Sequence, residues 1–355
     1  MDRLNSTQVS NNQSDFSSIF IKQVLPSLYC IIFVVGVPLN GMAAWIFFRV
    51  PGDSGLVVYL KNMVVADLLM MSTLPFKVAH DLDFGTWHIR VITCRYTAVL
   101  FYSSMYTGIV FIGFIGLERY VKVVHPSSSS TSSRRFMFGG VSSLHLLQSP
   151  RFARVLALFT WGLLILIVLP NVILTSRTAD EQSSRKCMQL KTPLGLKWHK
   201  VSIYFNVSLF WLTLIILAFC YTSIACQVYK SYRRVRRDKG HICRKSNRSI
   251  FSILAVFFIC FVPYHVCRVP YTLSQMPASV FGGHTRFLLF QLKEATLFLS
   301  ALNVCLDPVV YFLMCRTFRE SLLRKLSGKQ RRRSLANGQS LSNVYRERTD
   351  ETRDK

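Results

Sequence analysis

The sequence predicts an all-α membrane protein: a seven-transmembrane helical bundle with a short amphipathic eighth helix. Two observations carry that prediction. Seven long apolar runs, almost free of charge, recur along the chain, and the basic residues gather in the segments between and after them. Hydrophobic residues make up 51% of the 355 positions and aromatics 13%, which is more apolar surface than two ordinary soluble domains would use.

The runs extend from about residue 24 to 48, 56 to 78, 94 to 117, 155 to 174, 201 to 228, 250 to 269 and 287 to 314. At 1.5 Å per residue each is long enough to cross roughly 30 Å of hydrocarbon. Seven crossings put the two termini on opposite faces. Nine Lys or Arg lie between Lys230 and Arg248, and twelve against five acids lie from Arg316 onward, whereas Arg3 is the single basic residue before Ile21. The positive-inside rule then makes the tail cytoplasmic and the amino terminus extracellular. The expected localisation is the plasma membrane, with multiple passes.

Three divisions follow. Residues 1–21 form an extracellular amino terminus, with glycosylation sequons at Asn5 and Asn12. No cleavable signal peptide is expected ahead of the first run, which serves as an uncleaved insertion signal. Residues 22–314 form the membrane domain. Residues 315–355 form the amphipathic helix, with Phe318, Leu322, Leu323 and Leu326 set among Arg319, Arg324 and Lys325, followed by a polar basic tail carrying Ser334, Ser340 and Ser342. Within the membrane domain, the second cytoplasmic connection holds an atypical serine-rich insert, 127–149, expected to be a disordered linker.

The net charge of +26 invites a nucleic-acid reading, but the charge sits beside membrane spans with no soluble domain to present it. Attraction to anionic inner-leaflet lipid is the expected consequence, with no nucleic acid as partner. Most of the ten cysteines fall inside apolar runs, where a thiol packs as a small hydrophobe. Cys94 and Cys187 both face the oxidising side, so a disulfide between them should pin the loop before the fifth run over the bundle. Cys315, at the inner boundary, is a candidate for palmitoylation.

Ionisable groups within a bilayer are costly and point to function. Asp67 is central in the second run, and Asp307 lies deep in the seventh, four residues after Asn303. With Asn40 they suggest a hydrated polar network able to hold Na⁺; no other metal or cofactor is expected. Pro263 and Pro308 each remove a helix hydrogen bond and create kinks. Glu118-Arg119-Tyr120 closes the third run. Arg119 follows Cys94 by 25 residues, about 37 Å of helix, so the two mark opposite rims.

Asn40, Asp67, Cys94, Glu118-Arg119-Tyr120, Trp161, Phe257 through Pro263, and Asp307-Pro308-Val309-Val310-Tyr311 together resemble the rhodopsin-like, G-protein-coupled receptors across nearly the whole chain. Phe261 departs from the Trp of many members, and Gly108 stands where a sodium-coordinating Ser is common. The resemblance implies a receptor, not an enzyme. It assigns Glu118, Arg119, Tyr120, Pro263, Asp307, Pro308 and Tyr311 to activation and coupling, with a heterotrimeric G protein, arrestin and receptor kinases as partners.

The outer halves of the runs are rich in basic and aromatic residues: Arg90, Tyr102, Tyr106, Lys191, His199, His265, Arg268, Tyr271, Gln275 and Lys293. Arg268 lies about 7.5 Å outward of Pro263 and Lys293 about 22 Å outward of Pro308, within one vestibule suited to an anionic ligand. The runs Tyr59-Leu60-Lys61-Asn62, Leu74-Pro75-Phe76-Lys77, Leu194 through His199, Arg268-Val269-Pro270-Tyr271 and Lys293-Glu294-Ala295-Thr296 resemble the purinergic nucleotide receptors of the ADP and UDP-sugar branch. That resemblance implies phosphate contacts at Arg268, Lys293 and Lys191, a base pocket shaped by Tyr102 and Tyr106, further contacts from His199 and Tyr271, and Gi coupling that lowers cyclic AMP. The chain has no cysteine before Cys30 and none from Met276 to Phe290, so it lacks the second disulfide of many branch members. Together with Cys267-Arg268-Val269-Pro270, this also resembles a sister receptor linked to lysophosphatidic acid, which makes a lysophospholipid the alternative ligand. An organic-anion transporter is the remote alternative, and internal repeats that would support it are missing from the sequence.

Overall fold

The computed structural model describes residues 19–49, 54–126, 144–177, 187–234, 240–275, 280–315, 318–325 and 327. The sequons at Asn5 and Asn12, residues 127–143 of the insert, and Ser334, Ser340 and Ser342 lie outside the described residues.

Seven helices long and apolar enough to cross a membrane make up the bundle. They are α1 (Phe20–Arg49), α2 (Gly55–Asp81), α3 (Trp87–Val124), α4 (Pro150–Ile173), α5 (Pro193–Arg234), α6 (Gly240–Ser274) and α7 (Gly283–Met314). An eighth helix, α8, spans 318–325. The described residues contain no strand, as expected where backbone polar groups have no water to turn to. Apart from the end of α4, which stops one residue short, each helix meets or outruns its apolar stretch: α3 begins seven residues before Cys94 and ends seven after Leu117. Backbone hydrogen bonds must continue through the interfacial layer, and apolar composition does not register those turns.

Local chemistry sets the ends. Ser54 caps α2, its hydroxyl accepting from the Val57 amide at 3.4 Å, and Pro150 opens α4 at a position where no amide donor is needed. A π-helical turn at Thr93–Thr97 interrupts α3 and carries Cys94.

Around the bundle, α1 packs on α2 and α7, α2 on α3 and α4, α3 on α5, and α6 on α7. The core is aromatic at the level of α5 and α6: Phe210 stacks on Phe257 at 5.5 Å, and Phe261 tilts against Phe257 at 5.4 Å. Phe261 therefore fills its place as a wholly buried ring.

Part of the insert requires correction. Residues 144–149 are structured: His145–Gln148 form a 3-10 turn, Leu147 is buried, and its carbonyl accepts from the Tyr59 hydroxyl at 3.3 Å. A Cβ on Gly55 would collide with that same carbonyl, so the insert's end is wedged under the start of α2.

Beyond α7, the amphipathic helix forms as its pattern predicts. Phe318 is buried, stacks on Phe47 of α1 at 5.1 Å and meets Tyr311 edge-on at 6.2 Å, while Arg324 and Lys325 stay exposed. Cys315 is 4% exposed. The thiol packs into the core in this arrangement, so acylation there would require the end of α7 to open.

Candidate ligand vestibule and signalling end

The vestibule is built at the disulfide end. On α6, Tyr264, Arg268 and Tyr271 follow at spacings of four and three residues, which place them on one helical face. The Arg268 guanidinium consequently lies 5.8 Å from the Tyr264 ring centre and 5.9 Å from that of Tyr271, and α3 adds Tyr102 at 5.3 Å. Arg268 is only 7% exposed. Among the described residues no carboxylate lies within salt-bridge reach of it; the faces of three tyrosines compensate its charge. Cation–π contacts contribute about 2 kcal/mol when desolvated, well short of what a paired anion supplies.

The opposite wall is charge-balanced. Lys293 of α7 is in close contact with the Glu294 carboxylate and lies 5.3 Å from the Tyr271 ring centre. Glu294 also accepts from Lys77 of α2 at 3.2 Å, and Lys77 donates to Asp81, one turn on, at 2.6 Å. His80 joins Asp81 at 3.0 Å, and the Tyr29 ring of α1 lies 5.5 Å from the Lys77 amine. Two lysines and two carboxylates thus form a neutral chain that ties α2 to α7.

The Cys94–Cys187 disulfide, with Cα atoms 5.2 Å apart, holds the loop before α5 against α3. Leu190 and Val91 are buried behind it. The next residue, Lys191, is buried; its amine donates to the Thr175 hydroxyl at 3.1 Å. Burial pushes that amine down to about 8. His199, near the start of α5 and half-buried, lies within electrostatic reach of both Lys191 and Arg268.

Below these groups, His265 stacks on Phe210 at 3.7 Å, bonds the Phe261 carbonyl through Nδ1 at 2.7 Å and meets Tyr106 edge-on at 5.6 Å. It is a packed floor residue. Two members of the sequence-derived set are not drawn into the cluster: Arg90 pairs with Asp83 at 3.7 Å, on a carboxylate that Lys22 also approaches at 4.0 Å, and the exposed Gln275 contacts Ser274 at 3.5 Å.

Mid-bundle, the Tyr311 hydroxyl donates to Asp67 at 2.6 Å, the Asn303 amide to Asp307 at 2.7 Å, and the Asn40 amide to the Val304 carbonyl at 2.6 Å. Oxygens of Asn40, Asn303 and Asp307 are buried without a hydrogen-bond partner. Pro308 and Pro263 lie inside α7 and α6, and between those helices the Ser300 hydroxyl donates to the Cys260 carbonyl at 2.9 Å. At the far end, Arg119 donates to the Met314 carbonyl at 2.6 Å and lies 3.7 Å from Glu118, while the Tyr120 hydroxyl meets His125 at 3.3 Å. Arg119 therefore bolts α3 to the last turn of α7.

A family model for the seven-transmembrane receptors of the rhodopsin family matches residues 39–311. The chain belongs to that family. This rhodopsin-family receptor is 44% identical to purinoceptor 14 of Bos taurus over 91% of its own length and 92% of the relative's. It is 39% identical to purinoceptor 13 of Homo sapiens over 85% and 81%, and 40% identical to the G-protein coupled receptor 87 of Mus musculus over 92% and 88%. The receptor is thus a multi-pass membrane protein of the purinoceptor branch, and its relatives are receptors, not enzymes.

Sequence reasoning missed Tyr264, Tyr29, Asp81 and the pairing of Lys77 with Glu294. The signal was available for the pairing: Lys77 and Glu294 are ionisable residues in apolar runs, as Asp67 is, and opposite charges at matching depth call for each other.

Proposed function

We propose that the receptor detects an extracellular phosphate-bearing anion, a nucleotide or nucleotide sugar, whose phosphate is taken by Arg268. The observation that carries this reading is a buried guanidinium cradled by three tyrosines with no carboxylate beside it among the described residues. A phosphate supplies the bidentate acceptor that guanidinium geometry fits, and the surrounding ring faces suit a base or sugar. The purinoceptor names of the relatives agree with such a ligand. Lys191 and His199 extend the positive field toward the loop, and the basic tail supports an extracellular amino terminus.

Binding at Arg268 draws the outer end of α6 inward; the inner end swings outward about Pro263, and Arg119 leaves the Met314 carbonyl to meet a heterotrimeric G protein of the inhibitory type, lowering cyclic AMP. Arrestin and receptor kinases act on the tail. The ligand shifts this balance only through tighter binding to the active arrangement. Sodium suits the mid-bundle site: Asp67 and Asp307 carboxylates and the unpartnered Asn303 oxygen are hard donors.

The test is cyclic AMP suppression in cells challenged in parallel with ADP, UDP-glucose and lysophosphatidic acid, with and without Arg268→Ala. A nucleotide response that the substitution removes at unchanged surface expression supports the reading. A response confined to the lipid keeps the receptor and replaces the ligand.

A further inference from the structure

The loop that the Cys94–Cys187 disulfide holds over the bundle carries a lysine unlike the others in the vestibule. Lys77 and Lys293 are each paired with a carboxylate. Lys191 is buried, and among the described residues no carboxylate lies within salt-bridge reach of its amine. The amine donates to the Thr175 hydroxyl at 3.1 Å, and that hydroxyl gives its own proton to the Asn171 carbonyl at 2.5 Å. Thr175 therefore accepts from Lys191 and has no proton left to offer it. When the amine is neutral, its lone pair stays free.

Burial without an acid disfavours the ammonium form. It pushes this amine down to about 8, so about a fifth of it is neutral near physiological pH, against roughly one in a thousand for an ordinary lysine. A neutral amine with a free lone pair is a nucleophile. Its electrophile must be small and uncharged, because a side chain 5% exposed admits little else. The product should be an anion, because the surroundings lack one: His199 is within electrostatic reach of both the Lys191 amine and the Arg268 guanidinium, and Arg268 has no acid beside it among the described residues. Carbon dioxide meets both conditions.

We propose that Lys191 is a carbon dioxide acceptor, its amine forming a carbamate at the edge of the vestibule. The Nζ lone pair attacks the carbon and an N–C bond forms, one C=O π pair moves onto oxygen, and the nitrogen releases a proton to solvent. Amine plus carbon dioxide gives carbamate plus a proton, with nothing oxidised or reduced. A cation becomes an anion, which opposes an incoming phosphate. That consequence rests on the ligand reading above; the modification does not.

The test uses the full-length receptor in nanodiscs, with and without ¹³C-labelled carbon dioxide and bicarbonate at fixed pH and ionic strength. Carbamates are trapped as ethyl esters with triethyloxonium, and the peptides are read by mass spectrometry. Label should appear on Lys191 about fivefold or more above the exposed, protonated Lys197 and Lys200 nearby. In Lys191→Arg, which keeps the charge without the nucleophile, it should vanish from that position. No label on Lys191, or equal label on Lys191, Lys197 and Lys200, would overturn the site. In a second arm, carbon dioxide at fixed pH should weaken binding of radiolabelled ADP or UDP-glucose to the wild type about twofold or more, and leave Lys191→Arg unchanged. Label on Lys191 with unaltered nucleotide affinity would keep the carbamate and count against Lys191 as a phosphate contact, so the two readings fail separately.

Discussion

The two walls of the vestibule handle buried charge in opposite ways. On the α6 wall, Arg268 lies among tyrosine faces with no acid. On the α2–α7 wall, Lys77, Asp81, Lys293 and Glu294 neutralise one another. Both walls are rich in cations, so a count of basic residues cannot separate them. The difference is in what remains to be satisfied. Breaking a buried pair is strongly destabilising, so the α2–α7 wall holds the bundle together, whereas the α6 wall presents a charge whose best partner arrives from outside.

The largest expected effect follows from that contrast. Arg268→Ala should lower nucleotide affinity by roughly 100-fold or more, about 3 kcal/mol, the scale of a lost charge-paired phosphate contact, while thermal stability of the unliganded receptor falls little. Glu294→Gln should do the reverse. It leaves Lys77 and Lys293 underpaired and should cost about 3 kcal/mol of stability, read as a lower unfolding temperature in detergent, with a smaller change in affinity. Equal behaviour of the two variants in both measurements would erase the distinction between the walls.

Lys191 sharpens the comparison through pH. Burial holds its amine down at about 8, so its positive charge is present below that value and is lost as pH rises through it. An anionic agonist should therefore lose potency between about pH 7 and pH 9, by up to about tenfold from the change in protonated fraction, and Lys191→Gln should flatten the profile. A wild-type profile that stays level would remove Lys191 from the phosphate site.

The smallest effect is expected mid-bundle. A Cβ at Gly108 would meet nothing within 4 Å, so Gly108→Ser should be tolerated. It adds a hydroxyl on α3, and agonist affinity should become about two- to threefold more sensitive to sodium, a few tenths of a kcal/mol. Unaltered sodium dependence would mean that the new hydroxyl does not reach the ion.

Much of this was legible in the sequence because membrane burial exaggerates the relevant signals. Seven apolar runs, the Cys94 and Cys187 pair, Asp67 and Asp307, and the arginine closing α3 each stand out against a hydrocarbon background. What stayed hidden was pairing. Lys293 and Arg268 look equivalent as letters; only three-dimensional neighbours distinguish a cation held by Glu294 from one held by rings. His265 and Arg90 read as vestibule residues from type and depth, yet one is stacked into the floor on Phe210 and the other is tied to Asp83. Residues 144–149 read as linker because serine-rich composition conceals the single buried Leu147 that anchors them.

The most direct test of the central claim is equilibrium binding of a radiolabelled nucleotide agonist to membranes carrying wild-type receptor, Arg268→Ala or Lys293→Ala at matched surface density. Arg268→Ala should lose most of the affinity and Lys293→Ala clearly less, since the latter cation already has Glu294. A larger loss at Lys293 than at Arg268 would contradict the account and move the phosphate to the α7 wall.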